Sequence, residues 1–74
     1  MALDFTVIGQ RIKNARLDKN LTQEKLAEKL NVSQTVVSKI ETCERRIDVI
    51  ELIDICGAIN TSYMDFFSEL NDRL

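Results

Sequence analysis

Two short apolar repeats, separated by only two residues, constrain the fold of this chain more than any other feature. In the run QEKLAEKLNVSQTVVSKI, apolar residues recur every three or four positions in each half, which places them on one face of a helix. Thr22 and Ser33 stand where N-cap hydroxyls are favoured. We therefore predict one helix over Gln23–Leu30 and a second that starts at Ser33 and ends near residue 41 or 42. Only Asn31 and Val32 separate them.

Two further amphipathic segments flank this pair. The first covers about residues 4–19, with Ile8, Ile12 and Ala15 on one face. The other starts at Asp48, which forms a capping-box variant with Glu51 three residues later. The candidate apolar face of this fourth helix consists of Val49, Leu52, Ile53, Cys56 and Ile59.

A fifth helix is predicted from Ser62, where the same capping signal recurs with Asp65, to about residue 71. Its apolar stripe consists of Tyr63, Phe66, Phe67 and Leu70. The predicted ends at Asn20, Asn31 and Asn60 share a residue that tolerates positive φ. Together these segments predict an all-α fold.

Composition and residue types exclude several classes of protein. At 74 residues the chain is sized for a single domain over residues 1–74, and it has two Gly, no Pro and no His. Since no nucleophile stands beside a base, we expect no enzyme activity. Cys43 and Cys56 lack metal-ligand spacing, so we expect reduced thiols, no metal and no cofactor. With no basic leader and no apolar run of membrane length, we expect a cytoplasmic protein.

Charge is distributed unevenly along the chain. The net charge is −2, but residues 1–46 carry nine Lys or Arg against six acids, whereas residues 47–74 carry one Arg against six acids. A basic end can approach phosphates while an acidic end is turned away. The charge distribution thus permits DNA binding without proving it.

The run QEKLAEKLNVSQTVVSKI resembles the helix-turn-helix of the phage repressor and Cro family, also called the Xre family. Ala27 occupies the small position where the two helices cross, and Asn31 the turn position that is usually Gly. The apolar positions of the motif are occupied by Leu26, Leu30, Val32, Val37 and Ile40. The segments IGQRIKNAR and DVIELIDICGAI resemble the first and fourth helices of the family. The resemblance implies a compact five-helix lambda-repressor-like bundle whose helices 2 and 3 form the helix-turn-helix.

A recognition helix contacts base edges in the major groove mainly through residues near its N-terminus. Gln34 can pair with adenine, Thr35 can contact thymine or a phosphate, and Lys39 can contact guanine or a phosphate. The resemblance implies that Gln23 binds a phosphate and braces Gln34. The predicted DNA contacts are Gln23, Ser33, Gln34, Thr35, Ser38, Lys39, Thr42, Arg45 and Arg46.

Two structural expectations accompany the resemblance. It implies a salt bridge between Arg16 and Glu41 that joins the first helix to the end of the recognition helix. Cys43 departs from the family, which commonly has Gly at this position. Either the loop does not need positive φ there, or Cys43 is strained.

We therefore expect a sequence-specific regulator of transcription, a repressor that binds double-stranded DNA as a homodimer on a palindromic operator. Restriction-modification controllers and antitoxins belong to the same family. Phe67, Leu70 and Leu74 form the candidate dimer interface, unless the stripe only closes the monomer core. The alternative is a helical protein-interaction module that binds a toxin or a polymerase subunit. Neither hypothesis involves a membrane or a small-molecule substrate.

Overall fold

The computed structural model describes residues 5–66, and every regular element in that range is a helix. Helix α1 spans Phe5–Asp18, α2 spans Gln23–Leu30, α3 spans Gln34–Glu41 and α4 spans Val49–Ile59. Helix α5 begins at residue 63 and is described through residue 66. The all-α class and the five predicted helices are confirmed, and α1 ends one residue earlier than predicted. The remainder of the predicted fifth helix lies outside the described residues.

The predicted N-cap residues begin α2, α3 and α4, but one of them makes no side-chain capping hydrogen bond. The Thr22 hydroxyl accepts from the backbone N–H of Lys25 at 3.0 Å, at the start of α2. Asp48 and Glu51 form the complete capping box of α4, with hydrogen bonds of 2.8 and 3.4 Å. Ser33 is the N-cap residue of α3, but its side chain makes no capping hydrogen bond. The Ser33 hydroxyl is therefore not committed to the helix start.

Four turns within residues 5–66 share one hydrogen-bonding pattern. In each, a residue at positive φ donates its N–H to a carbonyl three residues earlier, and the next residue donates to a carbonyl five residues earlier. This is the pattern of the Schellman motif. The residues at positive φ are Asn20 at 57°, Asn31 at 58°, Cys43 at 67° and Asn60 at 63°. The three Asn predictions are confirmed, and the turn after α3 does require positive φ, so Cys43 adopts a conformation that costs about 1–3 kcal/mol for such residues.

The core lies where α1, α2, α3 and α4 meet. Its buried apolar side chains are Ile8, Ile12, Leu26, Ala27, Val37, Ile40, Ile47, Leu52, Ile55, Cys56, Ile59 and Phe66. Ala15, Leu30, Val36 and Tyr63 pack against it partly buried. Ile47 was missed because it lies in a polar segment, yet its burial anchors the connection between α3 and α4.

The predicted apolar face of α4 was partly wrong. Val49 and Ile53 are 44% and 45% exposed, whereas Ile55 is buried. Nearly every position in the first half of α4 is apolar, so periodicity alone does not select a face. The neighbouring helices select the face that carries Leu52, Ile55 and Ile59.

Close packing of α1 against the end of α3 depends on Gly9. A Cβ atom at this position would lie 2.7 Å from the Ile40 carbonyl oxygen and 2.8 Å from the Glu41 carbonyl oxygen. Any side chain would separate the two helices. Among residues 5–66, no helix is both long enough and apolar enough to cross a membrane.

Candidate nucleic-acid interface

Helices α2 and α3 each bury an apolar face in the core and expose a polar face to solvent. Leu26 and Ala27 on α2 are 1% and 4% exposed, and Val37 on α3 is 1% exposed. The small Ala27 side chain lies in the core, as its place at the helix crossing predicts. The packing leaves Gln34 and Thr35, on the first turn of α3, in solvent. These are the positions from which a recognition helix reaches base edges.

An open depression lies between the start of α2 and the outer face of α3. It is lined by Gln23, Gln34, Thr35, Ser38, Lys39 and Glu44. The first five of these are predicted DNA contacts, brought together from two helices. They combine amide, hydroxyl and ammonium groups, the donors and acceptors that base edges and phosphates require. The depression thus gathers these polar groups from two helices on one open surface.

Glu44 belongs to this surface and was not foreseen. The turn after α3 directs it back to the helix, where its carboxylate accepts from the Thr42 hydroxyl at 2.7 Å. Glu44 precedes two arginines in a predicted loop, and nothing in the sequence indicated that its side chain would reach this surface. It places one negative charge beside Lys39 in the depression.

The expected brace between the two helices is present. Gln34 Nε2 donates to Gln23 Oε1 at 3.4 Å, which confirms the contact implied by the family resemblance. Gln23 Nε2 in turn donates to Glu41 Oε1 at 3.1 Å, a contact that was not predicted. The predicted Arg16–Glu41 salt bridge is also confirmed, at 2.8 Å between Arg16 Nε and Glu41 Oε2.

The remaining four predicted contacts do not line the depression. Ser33 is exposed at the start of α3, and the Thr42 hydroxyl oxygen, which has a single proton to donate, also lies 3.0 Å from the Ser38 carbonyl oxygen. Arg45 forms an ion pair with Glu51 of α4 at 2.8 Å. It lines a separate depression together with Glu51, Asp54 and apolar residues of α2, α3 and α4. Arg46 is exposed in the same loop.

Large apolar side chains are exposed on α4. Ile50 is 71% exposed, and Val49 and Ile53 are close to half exposed. We call these three residues the α4 apolar face. The predicted interface residues Phe67, Leu70 and Leu74 lie outside the described residues.

The helix-turn-helix family matches residues 12–66, which cover the second half of α1, all of α2, α3 and α4, and the described part of α5. The chain belongs to this family, in its Xre-type branch. It is 35% identical over 65 residues to an uncharacterized HTH-type transcriptional regulator, RP497, of Rickettsia prowazekii strain Madrid E. That alignment covers 88% of this chain but 50% of RP497. The chain therefore spans about half the length of this relative.

Two solved structures share the fold of this chain. An XRE-family like protein from Pseudomonas syringae pv. tomato is 36% identical, with a TM-score of 0.87 over 93% of this chain and 84% of that one. The restriction-modification controller protein C.Esp1396I, solved as a tetramer with its natural 35 base-pair operator, is 34% identical. Its TM-score is 0.83, over 92% of this chain and 90% of that one.

Proposed function

We propose that this chain binds double-stranded DNA sequence-specifically through α3 and regulates transcription as a repressor. The observation that carries the proposal is the depression in which side chains from α2 and α3 present hydrogen-bonding groups on one exposed surface. B-DNA's major groove admits one α-helix, and base edges there offer complementary donors and acceptors. The function is one of binding, and we propose no catalytic step.

Base contacts are assigned to the outer face of α3. Gln34 pairs with an adenine, Thr35 contacts a thymine methyl group or a phosphate, and Lys39 contacts guanine acceptors or a phosphate. Ser38 is half-buried and short, so its contact is limited to a group that approaches closely. These side chains supply the sequence preference.

Contacts to the DNA backbone are assigned to groups around the same surface. Gln23 begins α2, where free backbone amides and the helix dipole attract a phosphate. The other proposed backbone contacts are Ser33, Thr42, Arg45 and Arg46. Arg45 must exchange its ion pair with Glu51 for a phosphate. Such contacts set the register of the protein and make affinity depend on salt.

We propose that the protein acts as a homodimer on a palindromic operator. A single helix-turn-helix contacts few base pairs, and a two-fold dimer places two recognition helices about one helical turn, roughly 34 Å, apart. The α4 apolar face supports self-association because large exposed apolar side chains in a contiguous patch favour protein contact. Phe67, Leu70 and Leu74 remain proposed members of the interface.

Within the family, similarity to C.Esp1396I over most of both chains favours a controller-type regulator over an antitoxin. We propose that residues 1–74 act as one DNA-binding domain, since the family match spans residues 12–66 and the helices share one core. A protein with this function works in the prokaryotic cytoplasm, beside the chromosome.

The test is selection of bound sequences from a random duplex pool at about physiological salt, with wild type, Gln34→Ala and Gln10→Ala. Gln10 is an exposed glutamine on α1 and serves as the matched control. We expect wild type and Gln10→Ala to select one palindrome. Gln34→Ala should lose an adenine preference in both half-sites, because no other group on α3 presents the same donor–acceptor pair.

A different outcome would favour protein binding over DNA binding as the function of this chain. If no motif emerges and binding to all duplexes disappears with modest salt, the contacts are only electrostatic. The α4 apolar face would then favour a helical module that binds a toxin or a polymerase subunit.

A further inference from the structure

A chain of hydrogen bonds connects a buried ion pair to the amide proposed to contact adenine. Arg16 and Glu41 are 6% and 7% exposed, and Gln34 is exposed on the outer face of α3. Between them lies half-buried Gln23, which donates from Nε2 to Glu41 and accepts at Oε1 from Gln34. These bonds join α1 to the end of α3, the end of α3 to the start of α2, and the start of α2 to the start of α3.

The buried end of this chain is held from several directions. Arg16 donates from Nε to Glu41 Oε2 at 2.8 Å and from Nη2 to Glu41 Oε1 at 3.1 Å. Its third nitrogen, Nη1, donates to the Leu21 carbonyl oxygen at 2.7 Å, immediately before α2. A bidentate guanidinium–carboxylate pair has little orientational freedom. The position of the Glu41 carboxylate relative to α2 is therefore well defined.

The chemistry of each partner determines the direction of every hydrogen bond. A carboxylate has acceptors only, so Gln23 must turn its NH₂ group toward Glu41. This orientation directs the Gln23 carbonyl oxygen toward Gln34, whose Nε2 lies 3.4 Å from it. Gln34 must donate one of its N–H groups to that oxygen. Its other N–H and its carbonyl oxygen remain available for DNA. That pair complements adenine, which accepts at N7 and donates at N6.

We propose that Glu41 is a positioning residue for base recognition, because its carboxylate orients Gln23 and thereby selects the amide face that Gln34 presents to adenine. This inference rests on the proposed DNA-binding function and deepens it. If the Gln23 amide were reversed, Gln34 would have to accept from it and would present mainly N–H donors. Such a surface complements the two acceptors of guanine better than it complements adenine.

The experiment measures the ratio of affinities for the selected operator and for the same operator with guanine in place of the Gln34-dependent adenine. Glu41→Gln gives residue 41 an amide that can donate to Gln23, so both orientations of Gln23 become available. We expect the adenine-over-guanine ratio to fall about tenfold, which lies within the base discrimination that one bidentate contact provides. Glu28→Gln removes the same charge from an exposed pair with Lys25 on α2 and should leave the ratio unchanged.

A structural role and a positioning role give different results. Arg16→Lys weakens the buried pair but leaves the carboxylate that accepts from Gln23. We expect this variant to unfold at a lower temperature than wild type while keeping the adenine preference. A ratio taken on one preparation does not depend on the folded fraction, so stability loss alone cannot reproduce the result expected for Glu41→Gln.

A second measurement uses the wild-type protein in case Glu41→Gln does not fold. In side-chain amide NMR spectra, one Nε2 proton of Gln23 should exchange with water much more slowly than those of Gln10, whose hydrogen bond to Asn14 is exposed to solvent. Equal exchange of the Gln23 and Gln10 protons would overturn the proposal. So would an unchanged base ratio in folded Glu41→Gln. The absence of any base preference in wild type would instead remove the proposed function itself.

Discussion

Gly9 on α1 and Cys43 in the turn after α3 lie in direct apposition. A Cβ atom at Gly9 would lie 3.1 Å from Cys43 Sγ, in addition to its closer approach to two backbone carbonyl oxygens of α3. Gly9 thus faces Cys43, which among residues 5–66 is the one residue at positive φ that is not Asn. This contact sets how closely α1 approaches the end of the proposed recognition helix.

Gly9→Ala should destabilise the fold by about 1–3 kcal/mol, the usual cost of overpacking. The added methyl group meets backbone rather than a flexible side chain, so α1 and α3 must separate. Urea denaturation followed by circular dichroism measures the effect. Gly57→Ala is the matched control, because a Cβ atom there has no neighbour within 4 Å. It should stabilise α4 by about 0.5–1 kcal/mol, and equal losses in both variants would contradict this account.

Cys43→Gly should raise the free energy of unfolding by up to about 1 kcal/mol. Glycine adopts positive φ without the penalty that a side chain incurs, and part of this gain is offset by loss of the thiol contact with Gly9. Asn60→Gly provides the comparison, since Asn already tolerates the same conformation at 63°. Denaturation that shows no gain for Cys43→Gly over Asn60→Gly would show that Cys43 is not strained.

Glu44→Gln should raise DNA affinity several-fold at low salt. The Glu44 carboxylate lies in the same depression as Lys39 and repels an approaching phosphate backbone. Fluorescence anisotropy with a labelled operator duplex measures the change, and the gain should shrink as salt increases. Asp18→Asn on α1 removes an equal charge outside this depression and that of Arg45, and it should leave affinity unchanged. Weaker binding by Glu44→Gln would indicate instead that the carboxylate accepts from a base amino group, such as cytosine N4.

Ile53→Glu should shift the proposed dimer toward monomer. Ile53 is 45% exposed in the α4 apolar face, so a charge there opposes burial against a second copy without entering the core. Sedimentation velocity over a range of protein concentrations measures the association. Leu17→Glu changes a 52% exposed leucine on α1 and should leave association intact. Dimers of unchanged strength in both variants would exclude the α4 apolar face from the interface.

The free energy of unfolding should fall at alkaline pH because the Cys56 thiol ionises more readily in the unfolded state than in the folded state. Burial raises the pKa of the Cys56 thiol from 9.0 to about 11. The folded state therefore holds this proton more tightly than the unfolded state, and the stabilisation present below pH 9 is lost as pH rises toward 11. The loss attributable to Cys56 is about 2–3 kcal/mol. Urea denaturation at pH 8 and pH 11 should show a smaller decrease for Cys56→Ala, and equal decreases in both proteins would contradict the assignment.

Helix bounds were predictable because the interactions that set them are local. The Thr22 cap and the Asp48–Glu51 capping box each act within one turn of helix. Likewise, Asn31 and Asn60 end their helices because of their own conformational tolerance, and neighbours a few residues away complete the hydrogen bonds. The Arg16–Glu41 pair and the Gln23–Gln34 brace were predicted differently, from resemblance to a family whose fold brings those positions together.

The helices, their order and the polar surface of α3 were predictable from the amino-acid sequence alone, since periodicity and capping depend on residues within about four positions. The buried face of α4 was not predictable in this way, because nearly all faces of its first half are apolar and the choice depends on packing against helices distant in sequence. The same is true of the contacts of Gly9, Glu44 and Glu41. Each depends on where a packed neighbour places a carbonyl, a hydroxyl or an amide, and no local pattern encodes that position.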